Sequence, residues 1–123
     1  MPKKYLNTVK IRYPPSEKKL IEILKQNVYK LREEVPNIIK IILFGSYATK
    51  QAHFGSDVDL LIIVKELTEN DFEKIYSILF DFSIEYEWSP LIVSEDRYNT
   101  LKITPTHFFN SIMQEGIVIW SKS

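Results

Sequence analysis

Two nearly unbroken apolar runs limit most tightly what this chain can fold into: Ile38-Ile39-Lys40-Ile41-Ile42-Leu43-Phe44 and Leu60-Leu61-Ile62-Ile63-Val64. Both have the length and character of buried strands. Strands that are apolar on both faces need cover on both faces. The chain must therefore place helices on either side of a sheet, in three layers, or cover one face with a second copy of itself. Gly45-Ser46 ends the first run, and Asp57-Val58-Asp59 opens the second after ten intervening residues. Alternation along a strand puts Asp57 and Asp59 on one face and Val58 on the other. Two carboxylates on one face suit a hard, oxygen-seeking divalent cation. A glycine at the preceding turn lets backbone approach an anion with no Cβ in the way.

The remaining elements follow from periodicity and punctuation. Residues 1–15 end in Pro14-Pro15 and read as a loosely held arm, with a short edge strand around Thr8 to Ile11. Ser16 is suited to cap a helix whose Leu20, Ile23, Leu24, Val28, Leu31 and Val35 recur at helical spacing up to Pro36. A short, helix-like stretch through Ala48 follows the Gly45 turn. Thr68 or Asn70 caps a second helix with a buried stripe of Phe72, Ile75, Ile78 or Leu79, and Phe82. Trp88 to Val93 reads as a third strand, and Pro90 within it argues for an edge position or a bulge. Ser94 ahead of Glu95-Asp96 starts a short helix, and Thr104-Pro105 starts another that stops at Gly116. Ile117 to Trp120 closes the sheet. The pattern predicts an α+β domain over residues 1–123, a short mixed β-sheet with helices packed on it.

Composition narrows the partners. Sixteen basic residues balance sixteen acidic ones among 123, so no bulk positive field holds a nucleic-acid backbone, and nucleic acid is not an expected partner. The chain has no cysteine, which excludes disulfides and thiolate metal sites and suits a reducing cytoplasm. No apolar stretch is long enough to span a bilayer, and Met1-Pro2-Lys3-Lys4-Tyr5 is not followed by an apolar signal region, so the expectation is a cytoplasmic protein with no membrane association.

The segment GSYATKQAHFGSDVDLLIIV resembles the motif of the minimal nucleotidyltransferases, small members of the DNA polymerase beta-like nucleotidyltransferase superfamily. The core of the resemblance runs from Gly45 to Leu60. A weaker likeness continues through the SPLIVS segment to Asn110–Trp120. The family pattern carries Arg and Gly where this chain has Thr49 and Lys50, which leaves Lys50 to supply charge to a triphosphate. The resemblance implies a nucleotidyltransferase fold and the transfer of a nucleoside monophosphate, AMP from ATP, with two magnesium ions or with manganese in their place. It implies Asp57 and Asp59 as metal ligands. It also implies a third carboxylate at Glu87, as metal ligand or acceptor of the hydroxyl proton, with Glu85 as the alternative if the third strand begins early. Gly45, Ser46, Lys50 and Ser56 are the implied nucleotide contacts, Ser56 more as an organiser of the turn.

Members of this size act as antitoxins on HEPN-domain proteins, so the resemblance implies a protein acceptor. Two alternatives stand beside it: a non-catalytic module that masks a HEPN-type partner, and a transferase acting on a small-molecule acceptor. Taken singly, Gly-Ser is an ordinary turn and Asp-x-Asp an ordinary solvated strand end. His53 and His107 read as surface or packed residues, and Tyr47 as packing against the sheet. The apolar residues Phe108, Phe109, Ile117, Ile119 and Trp120 exceed what one small core needs, which predicts association with itself or with a partner.

Overall fold

The computed structural model describes residues 17–53, 55–82 and 86–122. The arm, its edge strand, the Ser16 cap and Glu85 lie outside the described residues. Helix α1 (Glu17–Glu34) leads into strand β1 (Ile38–Phe44), a single 3-10 turn (Gly45–Tyr47) and strand β2 (Asp57–Val64). Helix α2 (Glu69–Phe82), strand β3 (Glu87–Ser94), helices α3 (Glu95–Ile103) and α4 (His107–Glu115) and strand β4 (Ile117–Ser121) complete the order.

The four strands form one mixed sheet in the order β3-β2-β1-β4. β1 runs antiparallel to both β2 and β4, whereas β2 and β3 are parallel and joined through α2. A parallel pair needs such a crossover, because a tight turn reverses direction. β3 is an edge strand of this sheet, so Pro90, which has no N–H to donate, faces Leu60 without breaking a ladder on its other side.

Both faces of the sheet are covered by the chain's own helices, the three-layer solution. On one face Leu20, Leu24 and Leu31 of α1 and Ile75 and Leu79 of α2 pack against Ile41, Leu43, Val58, Leu60, Ile62 and Val64. On the other, Tyr98 of α3 and Phe109 and Ile112 of α4 pack against Ile42, Phe44, Leu61 and Ile63. The two sets are the odd and even positions of the same strands, as the pleat requires.

Local chemistry sets the helix ends. The Thr68 hydroxyl accepts from the Asp71 amide at 3.1 Å, so Thr68 and not Asn70 caps α2. Ser94 accepts from the Arg97 amide at 3.1 Å and caps α3. The last helix begins two residues later than the Thr104-Pro105 pair suggests, because Thr106 supplies the cap, its hydroxyl accepting from the Phe109 amide at 3.1 Å. Phe72 also departs from the expected stripe. It sits in the first turn of α2, exposed, with its ring 6.2 Å from that of Tyr76, while Ile75 and Leu79 take the core.

The C-terminal apolar residues are mostly absorbed by the core. Phe109 and Ile119 are buried and Ile117 and Trp120 half-buried, which leaves Phe108 and Val118 exposed. Two packed faces need more apolar side chains than one, and the argument that this set is surplus therefore fails. Among the described residues no helix is long and apolar enough to cross a membrane.

Ile62 is wholly buried in the central strand, whereas Ile103 is 83% exposed. Ile62→Ala should cost about 2–5 kcal/mol in denaturant unfolding, and Ile103→Ala close to nothing. Ser94→Ala, which removes the α3 cap, should fall between them at about 1 kcal/mol.

Candidate active site

The carboxylates stand where three strands bring their ends together. Antiparallel pairing sets Phe44 opposite Asp59, so the turn that follows Phe44 lies directly beside the Asp59 side chain. Parallel pairing sets Asp57 opposite Glu87 and Asp59 opposite Ser89. In-register neighbours point to the same face, and all four side chains therefore emerge on the face that α3 and α4 cover farther along.

Gly45 has φ +78°, in the left-handed region. A Cβ built there would overlap the Asp59 Oδ2 atom and come within 3.1 Å of its Cγ. Glycine is thus required twice, by its backbone and by the carboxylate pressed against it. The turn is held by amides of Ala48 and Thr49 donating to the Gly45 carbonyl at 3.0 and 3.2 Å, and by the Gln51 amide donating to the Ser46 carbonyl at 2.8 Å. Ser46 is half-buried in this turn. With only three residues in 3-10 conformation, the dipole at its start is smaller than a full helix would give.

The electrostatics of the pair are asymmetric. Asp59 is half-buried and Asp57 exposed. Burial pushes the Asp59 carboxyl above the ordinary carboxylate value, and the charge of Asp57 pushes it further. The Ser89 hydroxyl opposes both by donating a hydrogen bond to the Asp59 carboxylate. Burial also raises Tyr47, whose ring packs edge-on to Tyr86 at 6.1 Å. Tyr47 thus belongs to the core and is not a platform for a base.

The other sequence-selected residues fall around this centre. Lys50 is exposed and has φ +62°. This is the position where the family pattern carries glycine, and the left-handed backbone explains the family's residue. The Thr49 hydroxyl, by contrast, lies 3.3 Å from the Gly45 carbonyl and braces the turn. The Ser56 hydroxyl accepts from the His53 amide at 2.8 Å, and the Ser56 amide donates back to the His53 carbonyl at 2.9 Å. Ser56 therefore closes the loop ahead of Asp57. His53 and His107 are both exposed.

Glu87 is exposed and in register with Asp57. Among the described residues no three His, Cys, Asp or Glu side chains converge as a ready metal cage. Two site neighbours escaped sequence reasoning. Ser89 carries a parity signal, since it lies two residues beyond Glu87. Phe108 carries none: its exposed ring meets that of Phe44 at 5.8 Å across an 80° angle, a contact only the fold creates.

Comparison with known proteins identifies the family. The family described as Polymerase beta, Nucleotidyltransferase matches residues 18–123. A Methanocaldococcus jannaschii protein named "Putative protein adenylyltransferase" is 32% identical over 106 residues, which make up 81% of this chain and 98% of that protein. Among solved structures, a toxin-antitoxin with AMP-PNP superposes with a TM-score of 0.57 at 19% identity, covering 80% of this chain and 74% of the other. A complex of a tri-AMPylated Shewanella oneidensis HEPN toxin with its MNT antitoxin gives 0.52 at 17% identity, covering 83% and 73%. At such identities the structural likeness is one of fold, but the family match spans nearly the whole described chain and includes the Gly45 turn and both aspartates. The chain is a nucleotidyltransferase of the polymerase beta family.

Proposed function

We propose that this protein transfers AMP from ATP to a hydroxyl side chain, tyrosine, of a HEPN-domain protein and so acts as its antitoxin. The observation that carries this reading is the joint placement of Gly45, Asp57 and Asp59: the glycine of the turn is pressed against the Asp59 carboxylate, and Asp57 stands two residues before it on the same strand face. The name of the Methanocaldococcus relative supports adenylate as the group moved and a protein as its acceptor. The AMP-PNP and AMPylated HEPN complexes of similar fold support ATP and a HEPN partner.

Asp57 and Asp59 would hold magnesium, with Glu87 as a further ligand or as the base that takes the acceptor's proton. The residues fit such an ion. Magnesium is commonly bound by one or two carboxylates together with substrate phosphates and water, so a complete protein cage is not needed. Burial raises Asp59 and the charge of Asp57 adds to it, and a cation between the two carboxylates would relieve that repulsion. When bound, divalent metal neutralises charge on the entering and leaving oxygens of the displacement.

The chain's own groups have separate tasks. Gly45 leaves room for the phosphates, and Ser46 donates to a phosphate oxygen through its hydroxyl and amide. Lys50 adds positive charge at the same turn. Ser89 donates to the Asp59 carboxylate, which favours its ionised form against burial and the charge of Asp57. As the acceptor oxygen bonds to the α-phosphorus and pyrophosphate leaves, Glu87 takes the acceptor's proton.

Asp57→Asn and Asp59→Asn should each abolish AMP transfer, measured with α-labelled ATP, while leaving the folded circular dichroism spectrum in place. Gly45→Ala should reduce transfer as severely, since its methyl group displaces Asp59. Full activity in the double Asn variant would end the assignment.

The raised Asp59 predicts two pH effects of opposite sense. Transfer needs the carboxylate, so activity is lost as pH falls through the raised value, at higher pH than an ordinary aspartate would give. Ser89→Ala removes the one interaction that lowers it, and its acid limb should move to still higher pH. For stability the sign reverses, because a carboxyl whose folded value exceeds its unfolded value favours the fold below the unfolded value and loses that contribution as pH rises through the folded one. Without metal, the melting-temperature advantage of Asp59→Asn over the wild type should therefore be larger at neutral than at acid pH.

The acceptor is tested by co-expression. A HEPN-domain protein encoded beside this chain should gain AMP by mass spectrometry and lose its own activity, and Asp57→Asn should prevent both. A partner that is bound and silenced without modification would replace transfer with masking.

A further inference from the structure

A second cleft lies at the far end of the sheet, away from the carboxylates. It is lined by Lys40 of β1, Lys65 just after β2, Lys122 just after β4, and Glu95, Tyr98 and Lys102 along one face of α3, around a space of about 350 Å³. Asp57 opens β2 and Lys65 follows its end, so eight strand steps of ~3.3 Å separate the two places by about 26 Å. No single nucleotide reaches from one to the other.

Four lysines face one glutamate in this cleft, in a chain whose total charge is zero. Among the described residues none of the four is held in an ion pair. Two of them are ordered around the buried Tyr98 ring instead: Lys40 Nζ lies 3.3 Å from the phenol oxygen and 5.7 Å from the ring centre, and Lys102 Nζ lies 4.7 Å from that centre. Two ammonium groups placed about one aromatic ring repel each other. The Lys122 amide donates to the Ile39 carbonyl at 2.9 Å, which fixes the end of β4 beside β1. Held in this way, unpaired cations favour a ligand that carries several negative charges within a small volume.

We infer that this cleft is a binding site for a compact polyphosphate anion, distinct from the nucleotide site. Its volume falls at the lower end of small-ligand pockets. Four lysines from three strand ends and one helix, against a single acidic residue on the wall, suit a chain of two or three phosphates better than a lone carboxylate or a flat acidic surface.

The test is calorimetric titration of the full chain with inorganic tripolyphosphate in metal-free buffer, where the carboxylate site has no cation to recruit phosphate. Lys65 and Lys102 are exposed, so Lys65→Ala/Lys102→Ala should fold normally and lose about tenfold or more in affinity with two charged contacts gone. Lys65→Arg/Lys102→Arg should restore most of the binding, and Asp57→Asn should leave it within about twofold because it lies outside the cleft. Affinity should also fall steeply with added salt. Absence of tripolyphosphate binding by the wild type, or equal binding by the double Ala variant, would overturn the inference. Tighter binding of a single-stranded oligonucleotide than of tripolyphosphate would also overturn it, since that result means an extended surface and not a compact pocket.

Discussion

The pairing of β2 with a different kind of neighbour on each side is the constraint on which the rest of this structure depends. β1 is antiparallel to it and delivers the Gly45 turn to Asp59. β3 is parallel to it and delivers Glu87 and Ser89 to Asp57 and Asp59. An all-antiparallel sheet would bring the other end of β3 to this edge, and Ser94 and Ile92 would stand where Glu87 and Ser89 now do. The crossover helix α2 is thus part of the site without contributing a residue to it. The same strand is buried on both faces over its last five residues, which fixes its register against slippage, because a shift by one residue would turn both aspartates into the core.

Much of this was legible in the chain. The two apolar runs required cover on both faces, and α1 with α2 on one side and α3 with α4 on the other supply it. Pro90 placed β3 at an edge, and the spacing from Gly45 to Asp59 marked the candidate site. Less legible features depended on contacts between segments distant in sequence. Phe72 fits a helical stripe by spacing, yet its neighbour is Tyr76 and not the sheet. The C-terminal apolar residues looked surplus to one small core, yet Phe109 packs under one face of the sheet and Ile119 under the other. Ser89 acts on Asp59 only through a parallel register, and no periodicity within a single segment encodes that.

Lys50 shows a compromise between backbone and charge. Its position demands a left-handed conformation, for which glycine is the unstrained choice. The chain places a lysine there, beside a Thr49 whose hydroxyl is spent on the turn. The adjacent family position is arginine, so a cation has in effect moved by one residue onto strained backbone. Such strain persists where the surrounding structure over-determines it, and the three amide bonds that close the Gly45–Gln51 turn do so here.

Net charge concealed how the charges are distributed. A total of zero argues against a general attraction for nucleic acid, and it is silent on segregation within the molecule. Along the sheet the charges separate, with Asp57, Asp59 and Glu87 at the end where β2 and β3 begin and Lys40, Lys65, Lys102 and Lys122 toward the opposite end. Strand direction produces this division. Asp57 and Lys65 flank the same buried run, whose apolar residues exclude charge from the middle and leave only its two ends for polar chemistry. At physiological ionic strength the Debye length is about 8 Å, well short of the separation between those ends. Each end therefore sets its own local potential. The acidic end favours cations and the basic end anions, which a single figure for the whole chain averages away.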